Sequence, residues 1–247
     1  IEGECEILVS NPGEKAWVDL TLEWLDFLGI LVENQNYQRY LVKNKADYKG
    51  FSYCVPADWS SAAFPMVAAI MSNSELLLEG LDIQDSQGDK LLLETVQKMG
   101  ANIHINEKAQ EIHILPGGKL KAIDIDINEM IDALPILAVL ATQAEGKTRL
   151  YNGEIARHKE SDRIRAISKE LTKMGACIEE TSDGLLISTS KLQGAKVDSH
   201  HDHRMAMSLI VAGFSAEGTT QVGDIRVIDK TYPHFKEDMQ SIGACIE

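Results

Sequence analysis

Apolar positions along the chain follow a helical period in some segments and fill every position in others, and the two kinds alternate. One kind keeps its apolar residues on a single helical face: Leu92, Val96 and Met99; Ile164, Ile167, Leu171 and Met174; Phe235, Met239 and Ile242. Such spacing predicts amphipathic helices with one face on a core. Each runs through a Gly step into a short apolar-rich stretch, as does an earlier segment. The steps are Leu28-Gly29-Ile30-Leu31-Val32, Met99-Gly100-Ala101-Asn102-Ile103, Met174-Gly175-Ala176-Cys177-Ile178 and Ile242-Gly243-Ala244-Cys245-Ile246. The glycines lie 71, 75 and 68 residues apart, and self-similarity at a nearly fixed period marks a duplicated unit. At each one a left-handed residue is needed to end a helix and turn the chain back into a strand.

The other kind is apolar nearly all round. Residues 62–70, 133–141 and 205–213 have this pattern, which predicts helices buried on every face. Each follows an aspartate, Asp58, Asp132 or Asp202, and each leads into a strand-like segment at 74–78, 146–150 or 218–222. The unit therefore reads buried helix, strand, loop, amphipathic helix, strand, with further strands such as 123–127 between units. Residues 1–52 hold a strand-like stretch at 5–9 and one amphipathic helix but no buried helix. The chain divides into the tail of one domain, 1–52, and a second domain, 53–247, joined through Ser52-Tyr53-Cys54-Val55-Pro56.

Composition narrows the function classes. The chain has 247 residues, 44% apolar and 25% charged, ordinary for a soluble globular protein. Its longest apolar run, 133–141, is about half of the ~20 residues a membrane helix needs. The first residues show no basic and then apolar stretch, so no secretory leader is expected and the cytoplasm is the expected location. A net charge of −14 argues against nucleic acid or an anionic membrane as partner. The four cysteines have no metal-ligand spacing, and reduced, mostly buried thiols are expected. Of seven arginines, Arg157, Arg163 and Arg165 fall within nine residues.

Those arginines frame the densest polar constellation, Arg157-His158-Lys159-Glu160-Ser161-Asp162-Arg163, on a loop feeding a helix. Free backbone N–H groups at a helix start and nearby cations favour bound anions. Glu160 would move protons if its surroundings raised its pKa. Ser161 and Asp162 equally suit ordinary helix capping. Asp202-His203-Arg204 opens the last buried helix and Asp132 the one before it, so the repeat places them on one rim. Lys230 precedes the last amphipathic helix and alone reads as a surface lysine. His200, His201 and His203 lack matching ligand spacing, and no metal is expected.

At these motifs the sequence resembles the 5-enolpyruvylshikimate-3-phosphate (EPSP) synthase family. The carriers are His158-Lys159-Glu160-Ser161-Asp162-Arg163, Asp202-His203-Arg204-Met205-Ala206-Met207, Asp229-Lys230-Thr231-Tyr232-Pro233-His234-Phe235 and Asp58-Trp59-Ser60-Ser61-Ala62-Ala63-Phe64. They occur in family order across essentially the whole chain. The resemblance implies an α/β (α+β) fold of repeated βαββαβ units, an inside-out prism with buried helices surrounded by sheets. It implies transfer of the enolpyruvyl group of phosphoenolpyruvate to the 5-hydroxyl of shikimate 3-phosphate, with release of phosphate and with no metal or organic cofactor. Asp132 would be the general base and Glu160 a second proton-transfer group. Arg163, Arg204 and Lys230 would hold phosphoenolpyruvate, Lys159 would contact shikimate 3-phosphate, and Ser10 is a further candidate contact, although Asn11 to Ala16 looks inserted. A monomer is expected.

The family's N-terminal Lys-Ser, Asn-Ala-Gly-Thr and Leu-Pro-x-Arg-Pro elements have no counterpart here. The resemblance thus implies a fragment of a full enzyme, inactive or nearly so without the N-terminal domain that completes the site. The competing readings are a non-catalytic anion-binding module and an enolpyruvyl transferase acting on UDP-N-acetylglucosamine.

Overall fold

A computed structural model describes residues 3–43 and 49–247; residues 1–2 and 44–48, inside the expected N-terminal tail, lie outside the described residues. Three helices form the centre: α2 (Trp59–Met71), α4 (Leu134–Ala141) and α6 (His203–Ser215) pack on one another. All eight residues of α4 are buried, and each large aliphatic side chain there contributes about 1.5–3 kcal/mol by leaving water. The apolar runs at 62–70, 133–141 and 205–213 are these helices.

Each central helix carries its own sheet. Helix α2 packs on strands β4 (Leu76–Glu79) and β6 (Glu111–Leu115), which with β5 (Asn102–Asn106) form an antiparallel sheet in the order β4-β6-β5. Helix α4 packs on β8 (Lys147–Tyr151) and β10 (Leu185–Ser188), in a sheet ordered β7-β8-β10-β9 with β7 at Asp124–Asp126 and β9 at Cys177–Glu180. Helix α6 packs on β12 (Gln221–Gly223), which pairs in parallel with β11 (Lys196–Asp198). This is the expected inside-out arrangement, helices within and sheets without.

The amphipathic helices are α3 (Leu91–Met99), α5 (Arg163–Lys173) and α7 (Phe235–Ser241), with α1 (Lys15–Phe27) near the start. The expected face of α5 is fully buried at Ile164, Ile167, Leu171 and Met174. Gly100 and Gly175 close their helices at φ 105° and 86°, as the turn into β5 and β9 requires.

Two expectations fail at the end of the chain. Ile242 is half-exposed, and Ala244-Cys245-Ile246 forms no strand. Its repeat equivalents β5 and β9 pair with β6 and β10. The cysteines correct another expectation: Cys5 is half-buried and Cys54, Cys177 and Cys245 are exposed, all free. Cys54 and Cys245 lie outside regular structure, and Cys177 starts the edge strand β9.

Residues 3–43 form a separate layer, strands β1 (Cys5–Leu8), β3 (Arg39–Lys43) and β2 (Leu31–Gln35) paired antiparallel, with α1 beside them. Helix α1 has no buried residue. Trp24 stacks edge-on against Phe27 and Tyr53, at centroid distances of 5.6 and 4.6 Å.

Candidate functional site

The starts of the central helices share one rim, and there the three aspartates part company. Asp58 caps α2, accepting from the N–H groups of Ser60 and Ser61 at 3.1 Å. Asp202 caps α6, accepting from the N–H of Arg204 at 2.9 Å. Asp132 caps nothing. It lies in a 3-10 segment, Asn128–Ala133, and the capping position of α4 falls to Ala133. Pro135, in the first turn of α4, has no N–H to offer, so the Asp132 carboxylate turns to cations instead.

Arg163, the first residue of α5, is the hub. Its side chain is 1% exposed. It donates from Nε to Asp202 Oδ2 at 2.8 Å, from Nη1 to Asp132 Oδ1 at 2.6 Å and from Nη2 to Glu160 Oε2 at 2.7 Å. A longer bond of 3.4 Å runs from Nη2 to Asp202 Oδ1, so four of five N–H groups are engaged. Burial opposes the charge, but Asp202 and Asp132 still hold the guanidinium pKa above its usual value. Ser161 donates its hydroxyl to Asp202 Oδ2 at 3.0 Å, while Asp162 is the true cap of α5 through the N–H of Arg165. The alternatives left open for Ser161 and Asp162 thus separate.

Around this hub stand the remaining cations. Arg204 Nη2 is 3.1 Å from Asp132 Oδ2 and Nη1 is 3.9 Å from Asp89 Oδ2. Lys159 Nζ reaches Glu14 at 2.5 Å and Asp132 at 3.8 Å. Lys230, 61% exposed, donates to Glu160 Oε1 at 3.0 Å. Burial pushes Asp132 up, but Arg204, Arg163 and Lys159 together hold it below its usual value. Glu160 goes the same way: desolvation is outweighed by Lys230, its own backbone N–H and Arg163, and the carboxyl falls to about 2. The condition under which sequence would make Glu160 a neutral proton donor, a raised pKa, is not met in this arrangement.

Six of the seven sequence candidates, Asp132, Lys159, Glu160, Arg163, Arg204 and Lys230, thus meet in one ion-paired network. Ser10 does not join it: it is exposed, and no side-chain hydrogen bond ties it to the network among the described residues. Arg157 is held by Asp162, Glu180 and the carbonyls of Thr181 and Ser182, and Arg165 is exposed. The three histidines diverge, His200 to Glu170, His201 to Asp224 and His203 to within 4.0 Å of Glu160. Burial and the neighbouring Arg204 push the His203 pKa down. Among the described residues no group of three or more His, Cys, Asp or Glu side chains has a metal-holding arrangement.

Sequence reasoning passed over Asp89 and Glu14, and quoted Ser60 in a motif without giving it a role. Asp89 sits in a loop feeding an amphipathic helix, the same place in the repeat as Glu160 and Lys230, and that parallel is the signal that marks it. Glu14 belongs to the segment that looks inserted. That segment lies against the site: Gly13 approaches Ile155 so closely that a Cβ would stand 2.7 Å from its Cδ1.

Comparison with solved structures gives the fold before the family. The enolpyruvyl transferase NikO from Streptomyces tendae superposes with a TM-score of 0.75 at 17% identity, covering 99% of this chain and 56% of that one, which is a likeness of fold. An EPSP synthase from Acinetobacter baumannii superposes with a TM-score of 0.83 at 30% identity, covering 100% of this chain and 58% of that one. The family described as EPSP synthase (3-phosphoshikimate 1-carboxyvinyltransferase) matches residues 1–239, and the chain belongs to it. Relatives carrying the name 3-phosphoshikimate 1-carboxyvinyltransferase include one from Chlamydia caviae, 44% identical over 100% of this chain and 55% of its own length. Another, from Methanocaldococcus jannaschii, is 40% identical over 99% of this chain and 57% of its own length. The chain spans little more than half the length of these relatives.

Proposed function

We propose that this chain supplies one half of the active site of an enzyme that transfers the enolpyruvyl group of phosphoenolpyruvate to the 5-hydroxyl of shikimate 3-phosphate. The observation that carries this reading is Asp132, a carboxylate left uncapped by its helix, kept ionised between Arg163 and Arg204, and still 16% exposed. In the addition step the 5-oxygen bonds to C2 of phosphoenolpyruvate, Asp132 takes the hydroxyl proton, and C3 gains a proton from Glu160. In the elimination step the bond from C2 to the phosphate oxygen breaks, C3 returns its proton to Glu160, and phosphate leaves carrying the proton that Asp132 gives up.

Proton donation by Glu160 demands a change of company. Phosphoenolpyruvate brings its own anionic groups to Arg204 and Lys230, drawing them from Asp132 and Glu160, and the carboxylate freed of Lys230 rises in pKa. Arg163 reaches the substrate anion as one of its three carboxylates yields, and until then it holds those carboxylates in place. Lys159, shared between Glu14 and Asp132, contacts shikimate 3-phosphate, with Ser10 as a further contact. Residues 1–52 are the tail of the first domain; the unburied α1 and its exposed Phe27 support an apolar neighbour there. The whole enzyme works as a soluble cytoplasmic monomer.

The test is phosphate release from phosphoenolpyruvate and shikimate 3-phosphate, by this chain alone and with the N-terminal portion of the enzyme added. Activity only on addition, lowered about 10²–10⁴-fold by Asp132→Ala as expected for loss of a general base, supports a divided site. No activity in either case, with both parts folded, refutes the reading. Binding of UDP-N-acetylglucosamine in place of shikimate 3-phosphate redirects it.

A further inference from the structure

Among the described residues, Asp89 is the one acidic side chain near the site that is wholly buried yet engages no guanidinium hydrogen bond. It is 1% exposed and sits on a 3-10 turn, Gly88–Lys90, ahead of α3. Ser60 donates its hydroxyl to Oδ2, while Oδ1 has no hydrogen-bond partner among the described residues. Arg204 Nη1 stands 3.9 Å from Oδ2, beyond hydrogen-bond range, so the link between them is through charge alone.

The backbone builds this placement. A Cβ on Gly88 would stand 2.1 Å from the carbonyl oxygen of Glu129; glycine lets the 88–90 turn lie directly on the 128–133 turn. Gln87 ties the same turn to the start of α2, accepting from the N–H of Trp59 at 2.9 Å and donating to the carbonyl of Ala57 at 3.1 Å. Arg204 is thereby held between Asp132 on its open side and Asp89 behind it.

We propose that Asp89 is a positioning residue whose charge competes with the substrate anion for Arg204, so that capture of the anion is coupled to uptake of a proton at Asp89. This rests on Arg204 being an anion contact, as proposed above. Burial raises the Asp89 carboxyl to about 6; Arg204 and Ser60 restrain that rise, and Asp132 and Asp58 add to it. The other charges on packed elements point elsewhere, the Glu129 carboxylate to the N–H of Ala16 and the Lys90 ammonium to the carbonyl of Asp85. An anion arriving at Arg204 offsets the cation that keeps Asp89 ionised, and favours its neutral form. Reciprocity then requires that the anion bind more tightly when Asp89 is protonated.

The experiment is calorimetric titration of the complete enzyme with phosphoenolpyruvate between about pH 5.5 and 8, in buffers of different ionisation enthalpy. The ligand's own phosphate also titrates near pH ~6, equally for every variant, so the quantity read is the difference between variants. Asp89→Asn keeps the shape and is expected to take up fewer protons on binding and to bind about 5-fold or more tightly at pH 8. Ser60→Ala removes a bond to the carboxylate and is expected to move the affinity transition to higher pH, which keeps the test intact should Asp89→Asn fail to fold. Proton uptake and pH profile unchanged in Asp89→Asn, or Asp89→Asn binding weakened equally at every pH, overturns the proposal while the anion site stands. Undiminished binding by Arg204→Ala overturns the anion site itself, and the coupling with it.

Discussion

Replacing Arg163 by Met measures how much of the site's order hangs on one buried cation. Methionine fills a similar volume without charge, so the loss is that of three carboxylates' common partner. Asp202 suffers most, because its side chain is fully buried, and removing one member of a buried pair costs about 3–5 kcal/mol. Asp202 keeps the N–H of Arg204 at 2.9 Å and the hydroxyl of Ser161 at 3.0 Å, which places the expected loss in the lower half, about 3–4 kcal/mol. At roughly 2–4 °C per kcal/mol for a chain of this size, the melting temperature falls by about 6–16 °C. Urea unfolding at pH 7, followed by the fluorescence of the buried Trp59 and by circular dichroism, gives the number. A second reading checks the cause. Asp132 is depressed in the folded parent, so its pairing adds stability that is present above its unfolded pKa of about 3.9 and is lost as pH falls through the lower folded value. The gap between parent and Arg163→Met therefore narrows below about pH 4. A variant within about 1 kcal/mol of the parent at pH 7 refutes the role of Arg163 as hub.

Two further outcomes test the surroundings. Gly88→Ala places a methyl 2.1 Å from the carbonyl oxygen of Glu129 and 3.0 Å from Cβ of Ala16; backbone must move, at a cost of about 1–3 kcal/mol, seen as a lower melting temperature together with altered phosphoenolpyruvate affinity. Glu160, lowered to about 2, contributes stability that is present above its unfolded pKa of about 4.3 and is lost as pH falls through about 2. Glu160→Gln accordingly flattens the pH dependence of unfolding between those values, modestly because the group is about a third exposed, and an unchanged slope in a urea series removes the ion pairs from the account.

The repeat was legible because its parts are local: a glycine at positive φ after an amphipathic helix, or an all-apolar run after an aspartate. The site was legible where a motif names its own neighbours, as Glu160 and Arg163 do three residues apart, and where the repeat sets Asp132 and Asp202 at equivalent helix starts. The inward choice of Arg163 over Arg165 follows from helical phase, since 163, 164, 167 and 171 share the buried face of α5, whereas Arg157 lies before that helix, in the 3-10 turn Glu154–His158. Asp89 was not legible in this way. Its partner Arg204 is distant in sequence, and the turn that aims it depends on a contact between Gly88 and Glu129 that no local pattern announces. The depressed pKa of Glu160 was hidden for the same reason, since Lys230 comes from the next repeat unit.

Repetition and function meet in the three aspartates. Asp58 and Asp202 stand immediately before their helices and give their oxygens to backbone N–H groups, which is what a carboxylate does best at a helix start. Asp132 is displaced from that duty by one residue, through the 3-10 turn that carries it and the proline that follows. The displaced carboxylate gains two arginines and a lysine within 4 Å. A capping carboxylate is satisfied by its own helix and has little to offer a substrate; a displaced one is held by side-chain cations from other elements. The same repeat that makes a stable prism at two of its corners therefore leaves, at the third, an ionised carboxylate held by side-chain cations, which on the proposed reading are the groups a substrate anion takes.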